Sequence, residues 1–416
     1  MTAVSVPRTA LAHHWLVTMR GGEHVLAALA ELFPAADIFT LVADRERMQS
    51  AFAGHRIHTS FLQRLPRATR WYPYYLPLFP LATERLDLRG YPLVITSDAA
   101  TLKGVRTEPG AIHICYCHTP MRYVWSGYDT YSRSGGPLAR LLLPPVAAWL
   151  RRWDYQAAQR VTHFVANSQT VAERIRRYYH RESTVIYPPV DTDYFLPPAT
   201  RGKREDFFLV VSQLVPYKRI DLAVEAFNRS GRRLLVIGEG SERRALERRA
   251  HTNIRFLGFK SCEVLRQALQ RARALIFPGE EDFGIIMAEA QACGTPVIAF
   301  RRGGASEIVA DGATGILFDQ QTPDSINDSL ARFEQTEMDP DAARYSALRF
   351  NRERFLHEFA EFVGQALACR EAIPRQGVED GPEVLATDSG AEPPTTVARG
   401  CAAPSSRLPG PGQSGG

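Results

Sequence analysis

The sequence predicts an α/β protein built from two doubly wound, parallel-sheet domains. Short apolar, β-branched runs alternate with helical patterns through the first 190 residues, and the same alternation restarts near residue 206. Between the two series lies a stretch carrying Pro188, Pro189, Pro197 and Pro198. The length, 416 residues, suits two or more domains of roughly 100–200 residues each.

In the first series the expected strands are 10–13, 38–42, 93–97, 112–116 and 162–166. Between the first two, Val25, Leu26, Leu29, Leu32 and Phe33 recur at spacings of three and four, which is one apolar face of a helix. The second series places strands at 207–212, 234–238, 254–257, 274–277 and 297–300, with helices at 221–229 and 263–273 among them. The boundary falls within 187–205, so the expected division is a first domain at 1–190, a linker at 191–205 and a second domain at 206–345. Residues 374–416 contain seven Pro and eight Gly and almost no large apolar side chain, so a disordered tail is expected over 373–416. No repeat recurs at a fixed period of 20–50 residues. Open α/β sheets bind ligands at the carboxyl ends of their strands, and two such sheets face to face form a cleft.

Composition excludes several classes. A chain that is 45% hydrophobic and 23% charged is globular rather than generally disordered. The longest stretches free of Asp, Glu, Lys and Arg, 71–83 and 109–121, have 13 residues, whereas a spanning helix needs about 20 apolar ones. Arg8, His13 and His14 make a poor signal peptide, and six scattered cysteines make no disulfide framework. The expected location is cytoplasmic. The net charge of +5 is unevenly spread: residues 1–190 carry 22 basic and 13 acidic side chains, the remainder 28 and 32. A basic half suits an anionic partner (nucleic acid, an acidic membrane surface or a phosphorylated substrate), or is simply a solvated arginine-rich face. No nucleic-acid-binding motif accompanies it, so nucleic acid is not expected.

The segment 277–294, FPGEEDFGIIMAEAQACG, is the most informative. A strand ends near Phe277, a loop holds Glu280, Glu281 and Asp282, and Phe283-Gly284 leads into a helix that contains Glu289. Two carboxylates so placed can accept hydrogen bonds from ligand hydroxyls, while the N–H groups of Gly284, Ile285 and Ile286 at the helix start favour an anion. The competing reading is that the acids complement the helix dipole. In the segment 210–221, VVSQLVPYKRID, Lys218 lies between a strand and a helix, where its ammonium can meet an anionic ligand. A solvated Lys218-Arg219 pair is the alternative.

Gly21-Gly22-Glu23 precedes the first helix, and its glycines let backbone approach a ligand or make a tight turn. His118 follows the strand at 112–116 and so belongs at a strand's carboxyl end, facing the cleft. Cys115 and Cys117 beside it lack the second ligand pair of a zinc site. Arg122 suits an acceptor phosphate or a surface ion pair. Asp191-Thr192-Asp193 has the D-x-D form of a metal site but sits in the linker, and Gly238-Glu239-Gly240 lacks the third glycine of a dinucleotide fingerprint. Two segments of the first domain join arginines to aromatics: 61–79, with Arg64, Arg67, Arg70, Trp71, Tyr72, Tyr74 and Tyr75, and 137–152, with Arg140, Trp149, Arg151 and Arg152. Either suits an anionic membrane surface or the core. Pro144 and Pro145 argue against one continuous helix in the second of them.

Several of these motifs occur together in one family. Glu281 and Glu289 with the embedded Phe283-Gly284, then ACGTPVIA, Gly303-Gly304, Glu307-Ile308-Val309, Asp311-Gly312 and Gly315, resemble the retaining nucleotide-sugar glycosyltransferases of family 4. The resemblance spans most of residues 10–365. It implies the GT-B fold, two Rossmann-like domains around a cleft, with helices over 346–372 returning to the first domain. It implies that Glu281 binds donor-sugar hydroxyls, Glu289 the ribose, and the backbone of Phe283, Gly284 and Ile285 the diphosphate or sugar. Gly21 and Gly22 would approach the donor phosphates, His118 the donor sugar, and Lys218 the leaving diphosphate, with no covalent nucleophile, metal or other cofactor. The family usually has an arginine where this chain has Gln213, and Arg219 is the nearest replacement for that charge.

The string 115–125 further resembles bacterial GDP-mannose-dependent mannosyltransferases of polysaccharide and O-antigen assembly. That implies GDP-mannose as donor, a saccharide or lipid-pyrophosphate-linked acceptor, and peripheral attachment at the inner face of the membrane. Other chemistry on the same fold, as in a sugar-nucleotide epimerase or a phosphorylase, remains an alternative. So does a non-catalytic glycan- or membrane-binding relic.

Overall fold

Two parallel sheets account for every named strand in the computed structural model, which describes residues 7–128, 137–200, 202 and 204–371. The expected tail at 373–416 lies outside the described residues.

The first half runs β1 (Thr9–His13), α1 (Gly21–Leu32), β2 (Asp37–Thr40), β3 (Ile57–Thr59), β4 (Leu93–Asp98), β5 (Ile112–Cys117), α2 (Pro137–Gln159), β6 (His163–Ala166), α3 (Gln169–Tyr179) and β7 (Ser183–Val185). Its sheet has the order β3-β2-β1-β4-β5-β6-β7. The second half runs β8 (Phe208–Val211), α4 (Ile220–Ser230), β9 (Leu234–Ile237), β10 (Ile254–Gly258), α5 (Cys262–Arg271), β11 (Leu275–Phe277), α6 (Ile285–Ala292), β12 (Val297–Phe300) and β13 (Gly315–Phe318). Its order, β10-β9-β8-β11-β12-β13, is the doubly wound Rossmann arrangement. Three helices follow: α7 (Pro323–Gln335), α8 (Pro340–Leu348) and α9 (Arg352–Glu371).

The central strands are near-continuous apolar runs because helices cover both faces of each sheet, and β1, β4, β5 and β12 are buried along their whole length. Three strands escape a reading of the sequence: β3, β7 and β13. Each lies at a sheet edge; β3 and β7 are three-residue strands that are not fully buried, whereas β13 is a buried apolar run of four residues opening on Gly315. α1 buries Val25, Leu26 and Leu29 against β1, as its spacing predicts. α9 packs Phe355, Phe359 and Val363 into that same first-half core, so the end of the described chain returns to the first sheet. The crossing is fixed by Val190 N–H to the Phe350 carbonyl, 2.8 Å, and by the Arg352–Glu31 ion pair.

One expectation is overturned. α2 continues through Pro144 and Pro145. Both prolines and Val146 are exposed, so the carbonyls that lose an N–H partner there can turn to water. The side chains of 137–143, including Arg140, lie outside the described residues. The segment 61–79 divides between the two readings made of it. It folds as short helical turns that bury Leu62 and Phe79 but expose Trp71, Leu78 and Tyr74, the last at 81%, beside the exposed Arg64, Arg67 and Arg70. Trp149 of α2 is also half exposed. No helix among the described residues is long and apolar enough to cross a membrane.

Candidate functional site

Strand order reverses between β1 and β4 in the first sheet and between β8 and β11 in the second, so a crevice opens beyond the carboxyl ends of these four strands. Those ends carry the chemistry. β1 ends at His13 and β4 at Ser97-Asp98, while His118 directly follows β5. Ser97 Oγ lies 3.0 Å from His13 Nδ1 and 2.7 Å from His118 Nε2, bridging the two rings. Burial lowers the pKa of His13 to about 3 and that of His118 to about 4, so both imidazoles are neutral at pH 7. The glycine turn at the start of α1 approaches this group: a Cβ on Gly22 would lie 3.6 Å from His118 Nε2, and one on Gly21 would lie 3.9 Å from Ile285 across the crevice.

A buried charge cluster braces this side. Asp98 accepts the N–H groups of Ala100 (3.0 Å) and Leu102 (2.8 Å) and the Lys103 ammonium (2.9 Å). Lys103 also lies 2.7 Å from Asp154, which takes the Trp125 indole N–H (2.8 Å) and the Tyr179 hydroxyl (2.7 Å). Burial opposes the Lys103 charge, but Asp154 and Asp98 outweigh it and hold its pKa above the ordinary value. The cluster ties β4, α2, α3 and the loop after β5 together.

On the second side, β8 leads through a turn at Pro216–Lys218 to α4, and β11 leads through 280–282 to α6. Gly284, at the head of α6, has φ +87°, and no side chain caps that helix, which leaves its first N–H groups directed at the crevice. Gly303 is required behind the loop, because a side chain there would collide with the Glu281 carbonyl. That carbonyl accepts Gly304 N–H at 2.9 Å. Lys218 Nζ and a Glu281 carboxylate oxygen are in direct contact, so the loops after β8 and β11 meet through opposite charges. Phe283 packs on Tyr187 and Phe350, so only its backbone remains for a ligand. Burial, then the nearby negative charge of Asp191, pushes the Glu289 carboxyl up to about 7.

The structure thus joins Lys218 to Glu281, and Gly21 and Gly22 to the Ile285 and His118 positions. It leaves two of the expected residues apart. Gln213 is exposed and makes no side-chain hydrogen bond among the described residues. Arg219 turns to Asp221, 3.2 Å away. Arg122 stacks over Tyr217 at 4.9 Å and pairs with Asp282, a residue that Arg174 also grips. The Gly238-Glu239-Gly240 turn buttresses the Gln213 loop, with Leu214 N–H donating to the Glu239 carbonyl at 2.9 Å. Asp191 caps Tyr194 N–H at 2.9 Å.

Residues to which the motifs assign no role include Ser97, His13 and Glu23 at the first side, and Glu307 at the second. The Glu307 carboxylate accepts Gln169 N–H (2.8 Å) and Thr170 N–H (3.0 Å), capping α3 of the opposite half. Ser97 and His13 were detectable as the last residues of strands read from the sequence. Glu307 sat in a recognised motif without an assigned partner.

Residues 19–194 match the family model described as Glycosyltransferase Family 4, and residues 196–349 the one described as Glycosyl transferases group 1. The uncharacterized glycosyltransferase MJ1178 of Methanocaldococcus jannaschii is 32% identical over 130 residues, 30% of this chain and 37% of that protein. The D-inositol 3-phosphate glycosyltransferase of Mycolicibacterium paratuberculosis is 29% identical over 201 residues, 43% and 46% of the two chains. The chain therefore spans less than half the length of these curated relatives. HepE of Anabaena, solved with UDP and glucose, superposes with a TM-score of 0.63 at 15% identity, covering 86% of this chain and 100% of that one, a likeness of fold.

Proposed function

The chain belongs to glycosyltransferase family 4, and from that premise we propose that it is a retaining transferase moving a sugar from a nucleotide-sugar donor to a saccharide or lipid-pyrophosphate-linked acceptor. The observation that carries this reading is the Lys218–Glu281 contact at the mouth of two switch-point strands, beside the uncapped start of α6.

Departure of a nucleoside diphosphate places negative charge on the leaving oxygens. Lys218 and the first N–H groups of α6 supply fixed positive charge there, which lowers the barrier for bond cleavage. Glu281, once parted from Lys218, accepts donor-sugar hydroxyls, and Glu289 accepts those of the ribose. His118 reaches the sugar from the first domain, and Gly21 and Gly22 admit the phosphates. The acceptor hydroxyl attacks from the face the diphosphate leaves, so the anomeric configuration is kept without a covalent enzyme intermediate. Lys218 and the helix start provide the charge that a divalent ion supplies in metal-dependent transferases, so no metal or other cofactor is required.

The donor we favour is GDP-mannose, on the resemblance of the 115–125 string to mannosyltransferases of cell-surface polysaccharide assembly. UDP-glucose is the second candidate, since HepE was solved with UDP and glucose. The acceptor sits on the basic first half. There the exposed Trp71, Tyr74 and Leu78 beside Arg64, Arg67 and Arg70 suit an anionic lipid surface at the inner face of the membrane.

A panel of nucleotide-sugars incubated with a lipid-linked saccharide extract tests this reading. Sugar transfer with stoichiometric release of nucleoside diphosphate supports it. Interconversion of UDP-GlcNAc without acceptor identifies an epimerase, and phosphate-dependent release of sugar phosphate a phosphorylase. Nucleotide binding without turnover identifies a relic.

A further inference from the structure

His118 has two ring nitrogens, and only one can carry the proton while the ring is neutral. Which one decides whether the ring offers a ligand a donor or an acceptor. Its Nε2 is taken by Ser97 Oγ at 2.7 Å. Its Nδ1 has no hydrogen-bond partner among the described residues, and the ring is only part buried, so Nδ1 is the nitrogen left for a ligand.

The bridge transmits a choice made elsewhere. Ser97 has one hydroxyl proton, and two imidazole nitrogens compete for it: His118 Nε2 and His13 Nδ1, the latter at 3.0 Å. If Ser97 donates to His13, then His118 must donate to Ser97 from a protonated Nε2, leaving a lone pair on Nδ1. If Ser97 donates to His118, the pattern inverts, and His13 carries its proton on Nδ1 with a lone pair on Nε2.

The far nitrogen of His13 separates these cases. His13 Nε2 is buried without a hydrogen-bond partner, and the nearest acid is Glu23, whose Oε1 lies 3.9 Å away with both side chains almost fully excluded from water. Glu23 is held by its other oxygen, which accepts Arg20 N–H at 3.1 Å. A lone pair on Nε2 facing that carboxylate is repulsive and an N–H facing it is attractive, and the low local dielectric enlarges the difference. The His14 ring lies against His13, with centroids 4.0 Å apart, and a Cβ on Gly22 would lie 3.2 Å from the His13 ring, so the pair is closely packed.

We propose that Glu23, His13 and Ser97 form a positioning relay that fixes the tautomer of His118, with the proton on Nε2 and a lone pair on Nδ1 directed at the ligand. Resting on the donor-sugar reading of this crevice, the relay makes His118 an acceptor for a sugar hydroxyl. It therefore selects for donors that carry a hydroxyl at that position and against deoxy analogues.

The test is long-range proton–nitrogen NMR on the full chain with nitrogen-15 histidine. There are 11 histidines, and the His118 signals are assigned by their loss in His118→Gln. The expected spectrum shows a protonated Nε2 and an unprotonated Nδ1 for His118, and a protonated Nε2 for His13. Glu23→Ala and Ser97→Ala should each release His118 into a mixture of tautomers and lower kcat/KM about tenfold, the worth of one hydrogen bond of about 1.4 kcal/mol. Ser97→Thr, which keeps the hydroxyl, should restore both readouts. A wild-type His118 protonated on Nδ1, or an unchanged tautomer in Glu23→Ala with the native spectrum otherwise retained, overturns the proposal. The tautomer is read without turnover, so the relay can stand if no nucleotide-sugar is ever used, and fail while transfer proceeds.

Discussion

Lys218 and Glu281 touch between the loops after β8 and β11, so the cation proposed for the leaving diphosphate and the carboxylate proposed for the sugar neutralise each other. On the proposed roles, a bound nucleotide-sugar would part them and give each its own partner. A free nucleoside diphosphate would engage only Lys218 and leave Glu281 unpaired near its phosphates. Glu281→Gln should therefore tighten free nucleoside diphosphate several-fold while weakening the nucleotide-sugar, as measured by calorimetry with both ligands. Equal effects on the two would show that the contact takes no part in discrimination.

Glu289 links donor binding to pH. Its carboxyl is raised to about 7 by burial and by Asp191, against about 4.5 unperturbed. The unfolded chain therefore ionises this group first. Its contribution favours the folded state most below pH 4.5 and is lost as pH rises from there through 7. Glu289→Gln should stabilise the ligand-free protein at pH 8 by about 3 kcal/mol, and hardly at all at pH 4.5. Donor binding should run the other way. In the proposed role the ribose hydroxyls would donate to the ionised carboxylate, so affinity should climb as pH passes through 7, and this slope should vanish in Glu289→Gln. Melting curves and titrations at several pH values give both signs.

Asp282 and Glu307 hold the two halves together. Asp282 is nearly buried between Arg122 and Arg174, and Glu307 caps α3. Asp282→Ala leaves the poorly solvated Arg122 without its carboxylate and Arg174 with Glu280 alone, and should cost roughly 3 kcal/mol. Glu307→Ala removes a helix cap worth about 1 kcal/mol. In small-angle scattering both should widen the particle. Unchanged profiles would show that α9 and the linker suffice to hold the halves.

Removing Lys103 leaves Asp98 and Asp154 facing each other in the core. Lys103→Met should destabilise the fold by about 3–5 kcal/mol, read by denaturant unfolding. The double change Asp154→Asn with Lys103→Met should cost less than the sum of the single ones, because the pair acts as a unit.

The proposed lipid contact is separable from turnover on soluble acceptors. Replacing Arg64, Arg67 and Arg70 by Glu, or Trp71 and Tyr74 by Ser, should abolish sedimentation with phosphatidylglycerol vesicles. Binding by the unaltered chain should weaken with salt. Vesicle binding that survives both sets of changes would place the contact elsewhere.

Much of this architecture is legible in the sequence, because buried parallel strands must be apolar on both faces and restart after each helix. The edge strands β3 and β7 escape because three part-exposed residues carry little apolar pattern, while β13, a buried Gly-Ile-Leu-Phe run, is short and follows a glycine-rich motif. Lys218, Glu281 and Glu289 stand out as motif residues at strand ends or helix starts. The geometry that links them to their surroundings does not, because it joins residues far apart in the chain. Ser97 lies 84 residues from His13, and Glu307 lies 137 from Thr170. No local pattern records such pairs. Arg122 shows the same limit: its type suits a phosphate, but Asp282, 160 residues on, occupies it. At Pro144 and Pro145 local reasoning misleads outright, since their cost is borne on an exposed stretch of α2.

The central claim is that Lys218 and Glu281 act on the departing diphosphate and on the sugar it leaves. It is tested most directly by sugar transfer at saturating donor in the unaltered chain, Lys218→Ala and Glu281→Ala, with product anomeric configuration read by proton NMR. Product of retained configuration is expected from the unaltered chain, and kcat lower by about 10²–10³ in each variant with nucleotide binding still measurable. Full turnover in both variants, or an inverted product, would contradict it.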